Sequence, residues 1–199
     1  MIISQREKLE ARESEYLSIG VTSNGVPRSS VGVPWIADSY AFNMRIPDVY
    51  ISPEDIKDAE IMNLIESYRV IGFYSWAPLE DYSFLARFKN LQDINIMNGD
   101  SLRDIDFLSG LHECRMLYLQ NAKLKDLNVI VDVKNKSSAM FGCLWCIGLD
   151  NCTVEDISVF EREKVRFSEF LVWKPEGSNE KERWNIISAR TRKYYEFKE

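Results

Sequence analysis

Cys143 and Cys146 form the single Cys-x-x-Cys pair of the chain, a spacing that can hold a metal or cycle between dithiol and disulfide. A tetrahedral zinc site needs four converging ligands. No second pair exists, and Cys152 falls in the turn beyond the same strand. A thioredoxin-like pair would open a helix in a βαβ unit, whereas this one leads into a strand, so neither a metal nor a cofactor is expected. Cys114 occupies an apolar position and reads as a core residue. His112 is the only histidine, so any Ser-His-Asp or Cys-His machinery would have to use it. It sits beside Glu113 in a turn, where an exposed loop residue is the simpler reading. Asp48, Asp93 and Asp150 could act as acid and base in a small enzyme, but no spacing joins them into a recognised site. Enzymatic chemistry is not the expectation.

The elements that would position these residues repeat along the chain. Shifted by 23 residues, Leu91, Ile94, Ile96, Leu102, Ile105, Phe107, Leu108 and Leu111 meet Tyr68, Ile71, Phe73, Leu79, Tyr82, Phe84, Leu85 and Phe88. Asp104 meets Asp81. Further units run from Cys114 to Ile130 and from Leu144 to Phe160, separated by an insertion near 134–141, and a weaker copy runs from Val49 to Ile65. About five units therefore cover 46–160. Each begins with a period-two stretch, a strand with one buried face. Each then has an Asp before a short apolar run. Asp58, Asp81, Asp104, Asp126 and Asp156 suit caps, each carboxylate accepting backbone N–H groups at the start of a helical or 3₁₀ turn. Their recurrence once per unit favours a structural ladder over a calcium array. Units of this kind bury their apolar faces only by stacking.

Three segments, INIMNGDSLRDIDFL (94–108), LYLQNAKLKDLNVI (117–130) and IGLDNCTVEDISVF (147–160), resemble leucine-rich repeats of the short internalin-like bacterial kind. The resemblance covers a little over half the chain. It implies an α/β fold, a curved right-handed solenoid whose parallel strands form a concave face used for protein binding. Where such repeats place an asparagine in the turn, this alignment puts Ala122 and Cys152.

The strand positions pointing away from the core would line that concave face. They read Tyr50 and Ser52, Gly72 and Tyr74, Asn95 and Met97, Tyr118 and Gln120, Gly148 and Asp150. Asp48, Val70, Asp93, Met116 and Cys146 stand one step earlier, and Trp76 and Trp145 lie beside the strand ends. A solvated sheet face is normally charged or Thr-rich, whereas aromatic and Met side chains on a regular scaffold suit protein interfaces. Tyr50, Tyr74, Trp76, Met97, Met116, Tyr118, Gln120, Trp145 and Asp150 are therefore the candidate partner-binding residues. A second copy of the chain is an alternative occupant, and cover by the chain's own elements is another.

Residues 1–45 read as an N-terminal cap. Within it Ile3–Ile19 is a charged helix with Leu9, Tyr16 and Leu17 on its apolar side, then come a turn at Asn24-Gly25 and a strand edge at 31–36. Residues 161–199 read as a C-terminal cap, a hairpin of Phe167–Trp173 and Trp184–Ser188 with a tail. The balance of 25 basic against 31 acidic residues, net −6, argues against nucleic acid or an anionic membrane as partner and mildly favours a basic protein. The longest uncharged run, Ser137–Leu149, is short of the ~20 residues of a membrane span. Charges begin at Arg6, before any secretory apolar region, so a cytoplasmic setting is expected. With 45% hydrophobic and 28% charged residues, the composition is that of a globular chain and excludes disorder and collagen.

Overall fold

The computed structural model describes residues 5–26, 47–136, 144, 146–159 and 169–173. Their fold is mixed α/β around one parallel sheet. Its strands are β1 (Tyr16–Val21), β2 (Val49–Ile51), β3 (Arg69–Ser75), β4 (Asp93–Ile96), β5 (Met116–Gln120), β7 (Cys146–Asp150) and β9 (Glu169–Trp173), in the order β2-β1-β3-β4-β5-β7-β9. Every neighbouring pair is parallel. A second parallel pair joins β6 (Lys123–Asp126) to β8 (Thr153–Asp156).

The period-two residues set the core. Leu17, Ile19 and Val21, Val49 and Ile51, Ile94 and Ile96, Leu117 and Leu119, and Ile147 and Leu149 all join one buried cluster. The connections close that cluster with α2 (Pro53–Lys57), α3 (Ala59–Glu66), 3₁₀ turns at Ser83–Arg87 and Asp106–Gly110, and α4 (Asn128–Lys136). Met62 and Ile65 of α3, Leu85, Phe107 and Leu108 are buried against the sheet side of these turns.

The aspartates cap these connections as their spacing predicts. Asp58 accepts from the N–H groups of Glu60 and Ile61, at 2.8 and 3.2 Å. Asp81, Asp104, Asp126 and Asp156 each accept from the N–H two residues on, at 2.8, 3.2, 2.9 and 2.7 Å. Each is an Asx turn that satisfies an otherwise orphaned donor.

Four features depart from the sequence reading. The helix expected over Ile3–Ile19 is confined to α1 (Gln5–Glu10), and Tyr16–Val21 is a strand. Leu17, Ile19 and Val21 alternate as a buried strand face does, and strand pairing on both sides outweighs the three-residue apolar stripe of a helix. The second departure follows from the first: β1 inserts between β2 and β3, so the stretch from 46 onward is not a run of successive neighbours. The third is register. The 23-residue shift sets Ile94 opposite Ile71, whereas β3 pairs Phe73 with Ile94 and Ser75 with Ile96. A slip of two keeps Gly72 to Ser75 on their expected faces, but at the bulge in β3 Val70 pairs with Leu17 and joins the core instead of the outward face. Ser75 then takes a core-facing position, fully buried, and its hydroxyl donates to the carbonyl of Ala77 at 2.7 Å.

The fourth departure concerns the turn asparagines. Asn121 and Asn151, one position before Ala122 and Cys152, adopt left-handed φ of 63° and 51°, a conformation Asn tolerates. Asn151 Nδ2 donates to Asn121 Oδ1 at 2.8 Å. The Cys152 thiol donates to the carbonyls of Leu119 and Asp150, at 3.4 and 3.3 Å, so it satisfies backbone where an amide was expected.

At the C-terminal side, β9 pairs in parallel with β7. The second limb of the expected hairpin, the strand edge at 31–36 and most of the insertion near 134–141 lie outside the described residues. The turn at Asn24-Gly25 is present: Gly25 has φ 65° and its N–H donates to the Thr22 carbonyl at 3.3 Å. Among the described residues no helix is long and apolar enough to cross a membrane.

Candidate functional site

The face of the sheet turned away from the aliphatic cluster carries three rows of side chains, fixed by strand register. The first runs Ser18, Gly72, Asp93, Met116, Cys146. The second runs Tyr50, Gly20, Tyr74, Asn95, Tyr118, Gly148. In the third, Gln120 pairs with Asp150, and Trp76 and Met97 stand at the ends of β3 and β4, the Met97 N–H continuing the ladder to the Ser75 carbonyl.

Glycines shape the second row. A Cβ on Gly20 would come within 2.8 Å of the Tyr50 ring, and one on Gly72 within 2.9 Å of the Tyr74 ring and Ser18 Oγ. The two tyrosines therefore rest directly on backbone. The Trp76 ring stacks with both, centroids 6.2 Å from Tyr50 and 6.3 Å from Tyr74, at interplanar angles of 26° and 20°. Offset stacks of this kind add to area burial.

Beside the aromatic layer lies a polar group. Asp150 Oδ2 accepts from Gln120 Nε2 at 2.8 Å and from the Tyr118 hydroxyl at 3.2 Å. Burial, and then the adjacent Asp150 carboxylate, push the Tyr118 phenol well above its ordinary value. Asp150 is 2% exposed and Asn95 0%. Among the described residues, Asp150 Oδ1, both amide atoms of Asn95 and Trp76 Nε1 have no hydrogen-bond partner. Buried polar side chains nearly always have one, so four such atoms on one face stand out.

The sequence-derived binding residues fall on this face as their period-two positions require, but they are not exposed. Tyr74 and Tyr118 are fully buried, and Trp76, Met97, Met116 and Asp150 nearly so. Tyr50 and Gln120 are half-buried, as is Asp93. Trp145 lies outside the described residues. A parallel sheet is ordinarily buried on both faces, so outward direction did not imply solvent. Asn95 was legible as an outward position and not singled out. Its signal was a lone amide in a row of tyrosines and glycines.

The other candidates are dispersed. Asp48 Oδ2 accepts the Ser18 N–H at 2.7 Å, and its Oδ1 lies 3.4 Å from Arg12. From β2 to β7 the strand order spans five spacings, about 24 Å, which separates Asp48 from Asp150; Asp93 lies two strands from β7. His112 is exposed in the turn before β5. Cys114, Cys146 and Cys152 are buried, and burial raises the Cys152 pKa to about 12. That thiol is held neutral and unreactive. Cys143 lies outside the described residues, among which no group of three or more His, Cys, Asp and Glu is placed to hold a metal ion.

Comparison of the chain with protein-family models finds no match, and comparison with curated proteins finds no significant match.

Proposed function

We propose that this chain is a non-enzymatic interaction module, a short leucine-rich-repeat solenoid that holds a protein partner against its strand-side face. The parallel stacking of β3, β4, β5 and β7 and the recurrent Asx turns support that architecture, with the N-terminal helix and the C-terminal strands as its caps. The reading is carried by the composition of the strand-side face. A face that served stability alone would be aliphatic like its opposite. This one holds stacked aromatics, Met97, Met116 and unpaired polar atoms, with half-buried Tyr50, Asp93 and Gln120 as the margin a partner can touch. The net charge of −6 favours a basic partner.

The test is affinity capture from the native lysate, with the wild-type chain and a Tyr50→Ala/Gln120→Ala variant as baits, both checked for fold by circular dichroism. A protein retained by the first bait and lost by the second, with the chain monomeric in sedimentation, is the expected result. A dimer that the same substitutions dissociate would replace the partner with a second copy. Identical retention by both baits removes the face from the function.

A further inference from the structure

The chain has two Asn-Gly pairs, Asn24-Gly25 and Asn98-Gly99, and the interaction reading uses neither. Such a pair carries its own chemistry. The glycine backbone nitrogen can attack the side-chain carbonyl carbon of the asparagine, because no Cβ obstructs the approach and glycine reaches the conformation required. The N–Cγ bond forms and the Cγ–Nδ2 bond breaks. The proton lost from the glycine N–H leaves, through solvent, with the amide as ammonia. Water then opens the resulting succinimide at either carbonyl, which gives aspartate or isoaspartate.

The fold holds the two pairs in opposite ways. Asn24 is exposed in the turn after β1, and its bonds are local. The Val26 N–H donates to Asn24 Oδ1 at 3.2 Å, and the Gly25 N–H donates to the Thr22 carbonyl at 3.3 Å. The first bond folds the side chain back along the Asn24–Gly25 peptide. It also sets a donor on the oxygen that becomes negative when Cγ is attacked, which stabilises that charge. The second is long, so the Gly25 nitrogen gives up little by leaving it. Asn98 is half-buried and tied to other strands. Its Nδ2, the leaving group, donates to the Trp76 carbonyl at the end of β3, and its own carbonyl accepts from the Tyr82 hydroxyl at 3.2 Å. The Gly99 N–H, the nucleophile, donates to the Gln120 carbonyl of β5 at 2.9 Å. A Cβ on Gly99 would lie 2.9 Å from that same oxygen, so the peptide is pressed against β5. Attack at Asn98 therefore needs the strand ends to separate.

We propose that Asn24 is a site of spontaneous deamidation and isoaspartate formation in the folded chain, while the fold protects Asn98. Conversion adds one carboxylate to a chain of net charge −6. Aspartate at 24 keeps an acceptor for the Val26 N–H and so keeps the turn. Isoaspartate routes the main chain through the side-chain carbon and lengthens the backbone by one methylene. That insertion falls just after Thr22, whose N–H completes the ladder on the Ile51 carbonyl at 3.0 Å. The strand ahead of it is paired on both sides, so the turn absorbs the change and the sheet keeps its register.

The test is peptide mapping of the full chain aged in mildly alkaline buffer, folded in one arm and denatured in guanidinium in the other. Trypsin releases 13–28 and 90–103, each with one Asn-Gly. The mass gained when oxygen replaces NH reports deamidation, and chromatography separates the isoaspartyl from the aspartyl peptide. Each folded-state rate is divided by the rate of the same peptide region in denaturant. On that scale Asn24 should convert at least about tenfold faster than Asn98, since Asn98 must first break several long-range hydrogen bonds. A smaller difference overturns the proposal, as does conversion of Asn24 without an isoaspartyl product. Circular dichroism should stay that of the folded chain as Asn24 converts. Unfolding in step with conversion overturns the claim that the turn absorbs the insertion.

Discussion

The two faces of the sheet are buried to a similar degree and built on opposite chemistry. On the core face, Ile94, Ile96, Leu117, Leu119, Ile147 and Leu149 are each fully buried. None of these brings a polar atom, and the Ser75 hydroxyl on the same face has its partner in the Ala77 carbonyl. On the strand-side face, Tyr74, Asn95, Tyr118 and Asp150 are as deeply buried, yet four polar atoms among Trp76, Asn95 and Asp150 go unpaired. The contrast separates burial from purpose. Aliphatic filling stabilises through area removed from water, whereas uncompensated polar groups lower stability and persist only where something else selects for them.

The largest effect that would test this contrast is on the core face. Leu117→Ala removes a fully buried side chain between two paired strands, and the loss should be about 2–5 kcal/mol in chemical denaturation. A loss under ~1 kcal/mol would mean that this face is loosely packed and the distinction fails.

A smaller change of opposite sign is expected across the sheet. Asn95→Leu replaces two unpaired buried atoms with aliphatic volume and should raise stability by about 1 kcal/mol. If it destabilises as much as Leu117→Ala does, Asn95 is a structural residue like its opposites and the asymmetry disappears.

The smallest effect is on the turn side. The Ser83 hydroxyl and then the Ser83 backbone N–H hold the Asp81 carboxyl below its ordinary 3.8. A depressed folded pKa gives stability that is fully present above the unfolded value and is lost as pH falls through the folded one. Ser83→Ala deletes the hydroxyl donor, which lies 2.6 Å from Asp81 Oδ2, and leaves the N–H. The Asp81 carboxyl should then titrate closer to 3.8 in side-chain NMR, and the acid-side loss, which still begins at the unfolded value, should be smaller and complete at a higher pH. An unmoved titration would mean that the backbone N–H alone depresses it.

The strand positions of β4, β5 and β7 and the Asp caps were legible because both signals are local. Period-two alternation at Ile94–Ile96, Leu117–Leu119 and Ile147–Leu149 and an Asp two residues before an N–H need no distant information. The N-terminal strand was not legible in the same way. YLSIGV alternates over only six residues, and the preceding QREKLE carries helical composition that the apolar stripe extended past its true end. What turned Tyr16–Val21 into a strand was hydrogen bonding to β2 and β3, segments more than 27 residues away.

The candidate site divides the same way. Residue type and spacing determined by themselves that Tyr74, Asn95, Tyr118 and Asp150 share one side of the sheet, since alternation leaves no other choice. Only the tertiary structure decided that this side is buried. It also decided that Tyr50 and Tyr74 lie on glycines, that Tyr118 and Gln120 converge on Asp150, and that Asn95 has nothing to bond. Period is a property of a single strand. Burial and hydrogen-bond satisfaction depend on which strands become neighbours and what packs over them, and short-range sequence patterns carry no record of either.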